Sequence, residues 1–295
     1  MIDLHMHSVF SDGTCSPDEL IDKIAKAGLK AAALTDHDVV DGCCYFAEAA
    51  KKYNILTMNA SELSAHYSRV PMEIVALDIP ERNIDAFKER QKIMIEERFK
   101  VAKERLELLA KLGIVLDWKD IAYYENGMLR NQVGKPHIVA AMLKKGYIND
   151  WDEGFDKYLN RGCPAYVAKK EPEYNEVISF VLDNGAVPIL AHPIHTKKQG
   201  RELFDLIKEL KMCGLKGIEV FHSDHNSLLK QDYLMMIETL GLISSGGSDF
   251  HGGAHPNVEV GIGKGDLKVP DVIFDVIKIR ENPTMAYYKE LAKSV

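Results

Sequence analysis

Eleven histidines and 44 acidic residues are spread through the 295-residue chain, and a subset of them falls in a pattern suited to metal chemistry. His5-Met6-His7 closes a short apolar run at 1–4. Asp36-His37 follows the apolar run 31–35, and Glu62 follows the run 55–60. Glu73 opens the run 73–77, His192 follows 187–191, and Asp249-Phe250-His251 follows 242–245. On a strand, residues i and i+2 point to the same side, so His5 and His7 can bind one ion together while Met6 packs behind them. Asp249 and His251 repeat that spacing. Mixed imidazole and carboxylate donors suit Zn²⁺, Mn²⁺ or Fe²⁺. With no cysteine among the candidates, a structural zinc site is disfavoured. A single histidine at a strand end is ordinary, but five of eleven at such places point to a common site.

The elements that must position these groups are legible from hydrophobic periodicity and punctuation. Ser16-Pro17-Asp18-Glu19 carries the signature of a capping box with proline in the first turn. Leu20, Ile24 and Ala27 give the helix that follows its apolar face, and Gly28 stops it. The order strand 1–4, helix, strand 31–35, helix 43–53, strand 55–60, strand 73–77 then gives way to charged, amphipathic sequence. A long helix is predicted over 83–112, free of Gly and Pro, with shorter helices at 117–124, 136–145 and 152–159. Strand–helix alternation resumes with helix 173–184, strand 187–191, helix 201–213, strand 217–221, helix 227–240, strand 242–245 and helix 270–280. Repeated strand–helix units predict a parallel sheet, open or closed into a barrel. The domain reading is a core of 1–80 plus 164–295 with a helical insertion at 81–163. In a parallel barrel, catalytic groups project from the C-terminal ends of several strands, which is where the metal-capable residues fall.

Composition narrows the class. At 46% hydrophobic and 27% charged residues the chain is that of an ordinary globular protein. A net charge of −7 disfavours a general nucleic-acid coat, which needs clustered Lys and Arg. No stretch approaches the length of a membrane span, and no basic-then-apolar leader is recognisable, so the expected location is cytoplasmic. Five cysteines without a C-x-x-C pair read as reduced thiols.

The strings D-L-H-M-H-S at 3–8, S-D-G-T at 11–14, T-D-H-D at 35–38, S-E-L-S at 61–64, A-H-P at 191–193 and G-S-D-F-H at 247–251 resemble the PHP (polymerase and histidinol phosphatase) family of metal-dependent phosphoesterases. Within the insertion, G-K-P-H-I-V-A-A-M-L at 134–143 and F-D-K-Y-L-N-R-G-C-P-A-Y-V at 155–167 resemble the branch with nucleoside 3′,5′-bisphosphate phosphatases and a 5′-to-3′ exoribonuclease. The resemblance implies a distorted (β/α)₇ barrel and a trinuclear site. His5, His7, Glu62 and Asp249 would hold the first metal. Glu62 would bridge to a second, shared with His192, and Asp12, His37 and His251 would hold the third. Where the family often has a histidine at the start of strand four this chain has Glu73, with His66 nearby.

The expected reaction is hydrolysis of a phosphomonoester of a nucleotide or short oligonucleotide. Two or three divalent ions (Mn, Zn or Fe) would activate a bridging hydroxide and stabilise charge on the phosphoryl oxygens. Glu62 would fix the metal spacing, and Asp3 would orient an imidazole. His195 is a candidate to protonate the leaving oxygen. Arg130, Lys135, His137 and Lys169 are candidates for a basic rim around a second phosphate or a base, and the long helix for a cap over the substrate. No stable protein partner is expected. Competing readings are a histidinol-phosphate phosphatase, a non-catalytic metal-stabilised module, and a C–N hydrolase of the barrel amidohydrolase type.

Overall fold

A computed structural model describes residues 1–68, 70–123, 130, 132–280 and 282–295. Among the described residues, eight strands form two sheets. β1 (Ile2–Asp3), β2 (Ala31–Leu34) and β3 (Leu56–Asn59) make a parallel three-stranded sheet. β4 (Ser61–Tyr67), β5 (Val70–Leu77), β6 (Val187–Leu190), β7 (Gly217–His222) and β8 (Ile243–Gly247) make a five-stranded one in that order. The β6–β7 and β7–β8 pairs are parallel, as alternation with helices requires. β5 is antiparallel to both neighbours, which departs from the all-parallel expectation. The physical reason is the missing helix between residues 60 and 73. Ser61–Tyr67 is itself a strand, and Tyr67 pairs with Val70 across a hairpin too short for a parallel crossover. Glu62 follows β3 as expected but lies within a further strand, β4, and Glu73 sits in mid-β5 opposite Ser64.

Backbone hydrogen bonds link the two sheets on both sides. Leu4 N–H donates to Gly246 O (3.1 Å), Asp249 N–H to His5 O (2.8 Å) and His7 N–H to Phe250 O (2.9 Å). On the other side Glu62 N–H donates to Thr35 O (3.1 Å) and Asp38 N–H to Glu62 O (2.8 Å). The contact of β1 with β8 depends on glycine: a Cβ on Gly247 would lie 2.3 Å from His5 N.

α1 (Pro17–Lys26) has the capping box on Ser16 and buries Leu20, Ile21 and Ile24 against α2 (Gly42–Ala50) and the first sheet. α3 (Ile84–Lys111) is the long helix expected at 83–112. Its first turns pack Phe87 on the main core, and its last turns bury Ala102 and Leu109 in a second apolar cluster. α4 (Trp118–Ala122), α5 (Lys135–Lys144) and α6 (Trp151–Gly154), continued as a π-helical turn over Phe155–Leu159, complete that cluster. The predicted end of the first of these at Tyr124 lies outside the described residues. α7 (Tyr174–Asp183), α8 (Gly200–Met212), α9 (Ser227–Leu240) and α10 (Val272–Ile279) cover the second sheet, together with α11 (Met285–Ala292), which sequence periodicity did not single out. Among the described residues no helix is long and apolar enough to cross a membrane.

Candidate metal centre

The loops after β1, β2, β6 and β8, with β4 and β5, bring His5, His7, Asp12, His37, Glu62, Glu73, His192, Asp249 and His251 into one pocket. Their ligand atoms form four overlapping groups, each with atoms mutually within 4.8 Å: His7, Asp12, His37 and His251; His5, Glu62 and His192; His5, His7 and Asp249; His37, Glu62 and Glu73. Glu62, wholly buried, stands at the centre. Its Oε2 lies 3.2 Å from His5 Nε2, 3.3 Å from His7 Nε2 and 3.1 Å from His37 Nδ1, and its Oε1 lies 2.9 Å from His192 Nε2. Asp249 Oδ1 is 3.2 Å from His7 Nε2. Glu73 lies 3.5 Å from both His37 and His192. His66 does not join the cluster and lies 3.5 Å from Glu173.

Five buried atoms in this pocket have no hydrogen-bond partner despite such neighbours: His5 Nε2, His7 Nε2, Asp12 Oδ1, His37 Nδ1 and Glu62 Oε2. A buried polar atom left unpaired costs about 1–3 kcal/mol, so five in one place need a common partner. The electrostatics agree. Burial alone would depress the His7 pKa, but the close carboxylates of Asp249 and Glu62 outweigh it and lift it to about 10. Burial disfavours the Glu62 carboxylate, yet His5, His37 and His192 hold its pKa well below the usual range. At His37 burial prevails over Asp12 and Glu62, and the pKa falls to about 4. The acids thus call for positive charge that the imidazoles supply only by holding protons. Divalent cations would supply that charge and take the unpaired lone pairs, so the donor set fits metal ions.

The backbone is bent to achieve this. Asp38, His192 and Asp249 have φ of 57°, 22° and 56°, the left-handed region that non-glycine residues seldom occupy. Supporting contacts hold them. Asp3 does not orient an imidazole. Its carboxylate accepts the backbone N–H groups of His5 (3.3 Å), Ser248 (2.9 Å) and Gly261 (2.8 Å), which ties the two ligand loops together. Asp36 accepts from Ser8 and Ser11, fixing the loop that carries Asp12. Two groups that sequence reasoning left unassigned belong here. Glu219 on β7 lies 3.1 Å from His5 Nδ1 and accepts His192 N–H at 2.8 Å. His222, with Nδ1 accepting Asp224 N–H, lies 3.4 Å from Asp249 Oδ2. An acid within an apolar strand and a histidine at its end were the available signals.

A cavity of about 550 Å³ opens from Asp12, His37 and Glu73 towards α3, α5 and residues 166–171. Its walls carry Arg98, Arg105, Lys135, Arg161, Lys169 and Lys170 against few acids. Lys135 and Lys169 are among the cavity-lining residues. Burial, with Arg105 nearby, depresses the Lys135 pKa to about 8. His137 is buried, its Nδ1 accepting Gly134 N–H at 2.9 Å, so it caps α5 from within. Arg130 N–H donates to Ala122 O, and its charge acts on His137. His195 is half-exposed beside His192, its ring 4.4 Å from that of His192 and its Nε2 3.0 Å from Asp224.

Comparison with known proteins places this architecture. A Chromobacterium violaceum 3′,5′-nucleoside bisphosphate phosphatase is 29% identical over 88% of this chain and 90% of its own. A Haemophilus influenzae 5′-3′ exoribonuclease is 28% identical over 84% of this chain and 89% of its own. Among solved structures, a Bifidobacterium adolescentis protein assigned as a metal-dependent phosphoesterase superposes with a TM-score of 0.83, at 25% identity over 97% of this chain and 98% of that one. A Chromobacterium violaceum structure titled as an amidohydrolase with bound sulfate and no metal gives 0.81, at 28% identity over 97% and 99%. The PHP domain family matches residues 3–181. Clustered imidazoles and carboxylates, the strand ends that carry them and this match agree: the chain belongs to the PHP domain family and is a metal-dependent hydrolase of phosphoester bonds.

Proposed function

We propose that this protein hydrolyses phosphomonoesters of nucleotides or short oligonucleotides at a centre of two or three divalent ions, Mn²⁺, Zn²⁺ or Fe²⁺. The observation that carries the reading is the set of five unpaired buried atoms converging from separate segments of chain. His5, His7, Glu62 and Asp249 would hold one ion. Glu62 with His192 and Glu73 would hold a second, and Asp12, His37 and His251, beside His7, a third. Bound there, such ions neutralise a phosphoryl group and bring the pKa of water towards neutrality. The backbone links on both sides of the pocket support a distorted (β/α)₇ barrel, and the separate apolar cluster supports a helical insertion over 81–163 acting as a cap.

The chain's own residues do the rest. Glu62, gripped on all sides by imidazoles, sets the spacing of the ligands. The cationic wall of the cavity orients the substrate: Lys135 and Lys169 meet a second phosphate or a sugar–base unit, with His137 holding the first turn of α5 that carries Lys135 and Arg130 acting on His137. His195, held by Asp224 beside His192, delivers a proton to the leaving oxygen. The relatives' names support a nucleotide substrate over histidinol phosphate. Phosphate release from a panel of nucleoside monophosphates, nucleoside 3′,5′-bisphosphates, short 5′-phosphorylated RNAs and histidinol phosphate tests this, with Mn²⁺ added to EDTA-treated protein. Turnover should be metal-dependent and fastest on the nucleotide members. Preference for histidinol phosphate, or turnover without metal, would overturn it.

A further inference from the structure

Glu219 is buried in the middle of β7, 2% exposed, and uses both carboxylate oxygens on residues of the pocket. Oε1 lies 3.1 Å from His5 Nδ1, and Oε2 accepts the backbone N–H of His192 at 2.8 Å. Both partners face Glu62 on their other side, His5 Nε2 at 3.2 Å from Oε2 and His192 Nε2 at 2.9 Å from Oε1. One carboxylate thus stands behind two candidate ligands whose front atoms meet a second carboxylate. We propose that Glu219 is a positioning residue that sets the geometry of two of the metal positions together, and that only a carboxylate, not its isosteric amide, can do so.

The argument is one of donors and acceptors. A backbone N–H can only donate, so Oε2 must accept from His192. Its bond also holds the His192 backbone at a φ of 22°, a conformation without intrinsic preference. Oε1 of the ionised group must likewise accept, which puts a proton on His5 Nδ1 and leaves Nε2 as the lone pair facing Glu62 and Asp249. A histidine ligand commonly has its orientation and tautomer set by such a carboxylate. Glutamine at this position has one acceptor and one donor. Turned one way, its NH₂ group meets the His192 N–H; turned the other, it meets His5 Nδ1, which can accept only if the His5 proton moves to Nε2 and removes the lone pair facing Glu62 and Asp249.

This inference rests on the metal-holding reading of the pocket, and the pocket contains its own control. The group of His7, Asp12, His37 and His251 includes neither His5 nor His192. Mn²⁺ binding to EDTA-treated wild-type and Glu219→Gln protein, followed by calorimetry and electron paramagnetic resonance, separates the two. The substitution should weaken the sites that use His5 and His192 by about 10–100-fold. One class should keep near wild-type affinity, and adding His251→Ala should remove that class. Unchanged binding, or equal weakening of every class, overturns the inference. A second measurement does not need the variant to fold. In zinc-loaded wild-type protein labelled with ¹⁵N-histidine, His5 should carry its proton on Nδ1, and a proton on Nε2 overturns the inference. Wild-type protein that takes up no metal overturns the metal reading and this inference with it, whereas metal uptake indifferent to Glu219→Gln overturns this inference alone.

Discussion

Replacing Arg98 by methionine should destabilise the protein by about 3 kcal/mol through one buried carboxylate. Arg98, on α3, places its guanidinium 2.6 Å from Oδ2 of Asp38, whose side chain is fully enclosed. At an effective dielectric of about 20, unit charges about 4 Å apart attract by about 4 kcal/mol. Removing one partner of a buried pair typically costs about 3–5 kcal/mol, because the other is left uncompensated. Asp38 would retain the N–H and hydroxyl of Ser64 at 2.8 and 2.7 Å and Lys169 at 3.8 Å, which places the loss at the low end. Adding Asp38→Asn to the variant should recover part of it. Urea unfolding of EDTA-treated protein measures the term without a contribution from metal. The sign with pH follows. Burial would raise the Asp38 pKa, but Arg98 and then Lys169 outweigh it and hold it well below the carboxylate range. The pair's contribution is therefore fully present above the unfolded pKa of about 4 and is lost as pH falls towards the depressed folded value. The gap between wild type and variant should be widest near neutrality and narrow in acid. A loss below about 1 kcal/mol at pH 7, or a gap that widens in acid, would refute the reasoning. The same helix and its neighbours hold the His37 loop at two more points, Gln91 Oε1 accepting Val40 N–H and Gln132 donating to His37 O. Mn²⁺ affinity should therefore fall with stability.

Three further outcomes follow. His7→Ala should abolish metal uptake and phosphate release together, since His7 belongs to two of the ligand groups. Metal analysis beside a phosphate assay checks this, and full activity in the variant would contradict it. Lys135, with its pKa near 8, is charged below that pH, so kcat/KM on an anionic substrate should decline above pH 8 by up to about tenfold per unit. Lys135→Arg should remove that inflection from the pH profile. Gly247→Ala should cost several kcal/mol, because the added methyl would meet His5 backbone rather than a flexible side chain. Thermal unfolding of the metal-free variant reads that loss.

Much of the centre was legible because its candidate ligands are scarce residue types at strand ends. His5, His7, His37, His192 and Asp249 could be placed from apolar runs and an i, i+2 spacing alone. β4 was not legible: Ser61–Tyr67 mixes Ser, Glu and His with apolar residues, and its candidate ligand, Glu62, sits inside the strand. With that strand unseen, the antiparallel run of β5 could not be anticipated. Glu219 was hidden for another reason. Among Gly217, Ile218 and Val220 it reads as a lone acid in a buried strand, and only the fold shows the two donors that it satisfies. His137 and Lys135 are two residues apart on α5, yet one caps the helix from inside and the other reaches the cavity. Sequence alone carries the charge of such residues but not the direction in which they point.

The most direct test is anomalous diffraction from a crystal of the protein loaded with Mn²⁺. Strong peaks should lie in the space shared by His5, His7, Glu62 and Asp249, and between His37, Asp12 and His251, with Glu62 touching more than one ion. A well-ordered pocket with these side chains in place and no peak above background would contradict the central claim.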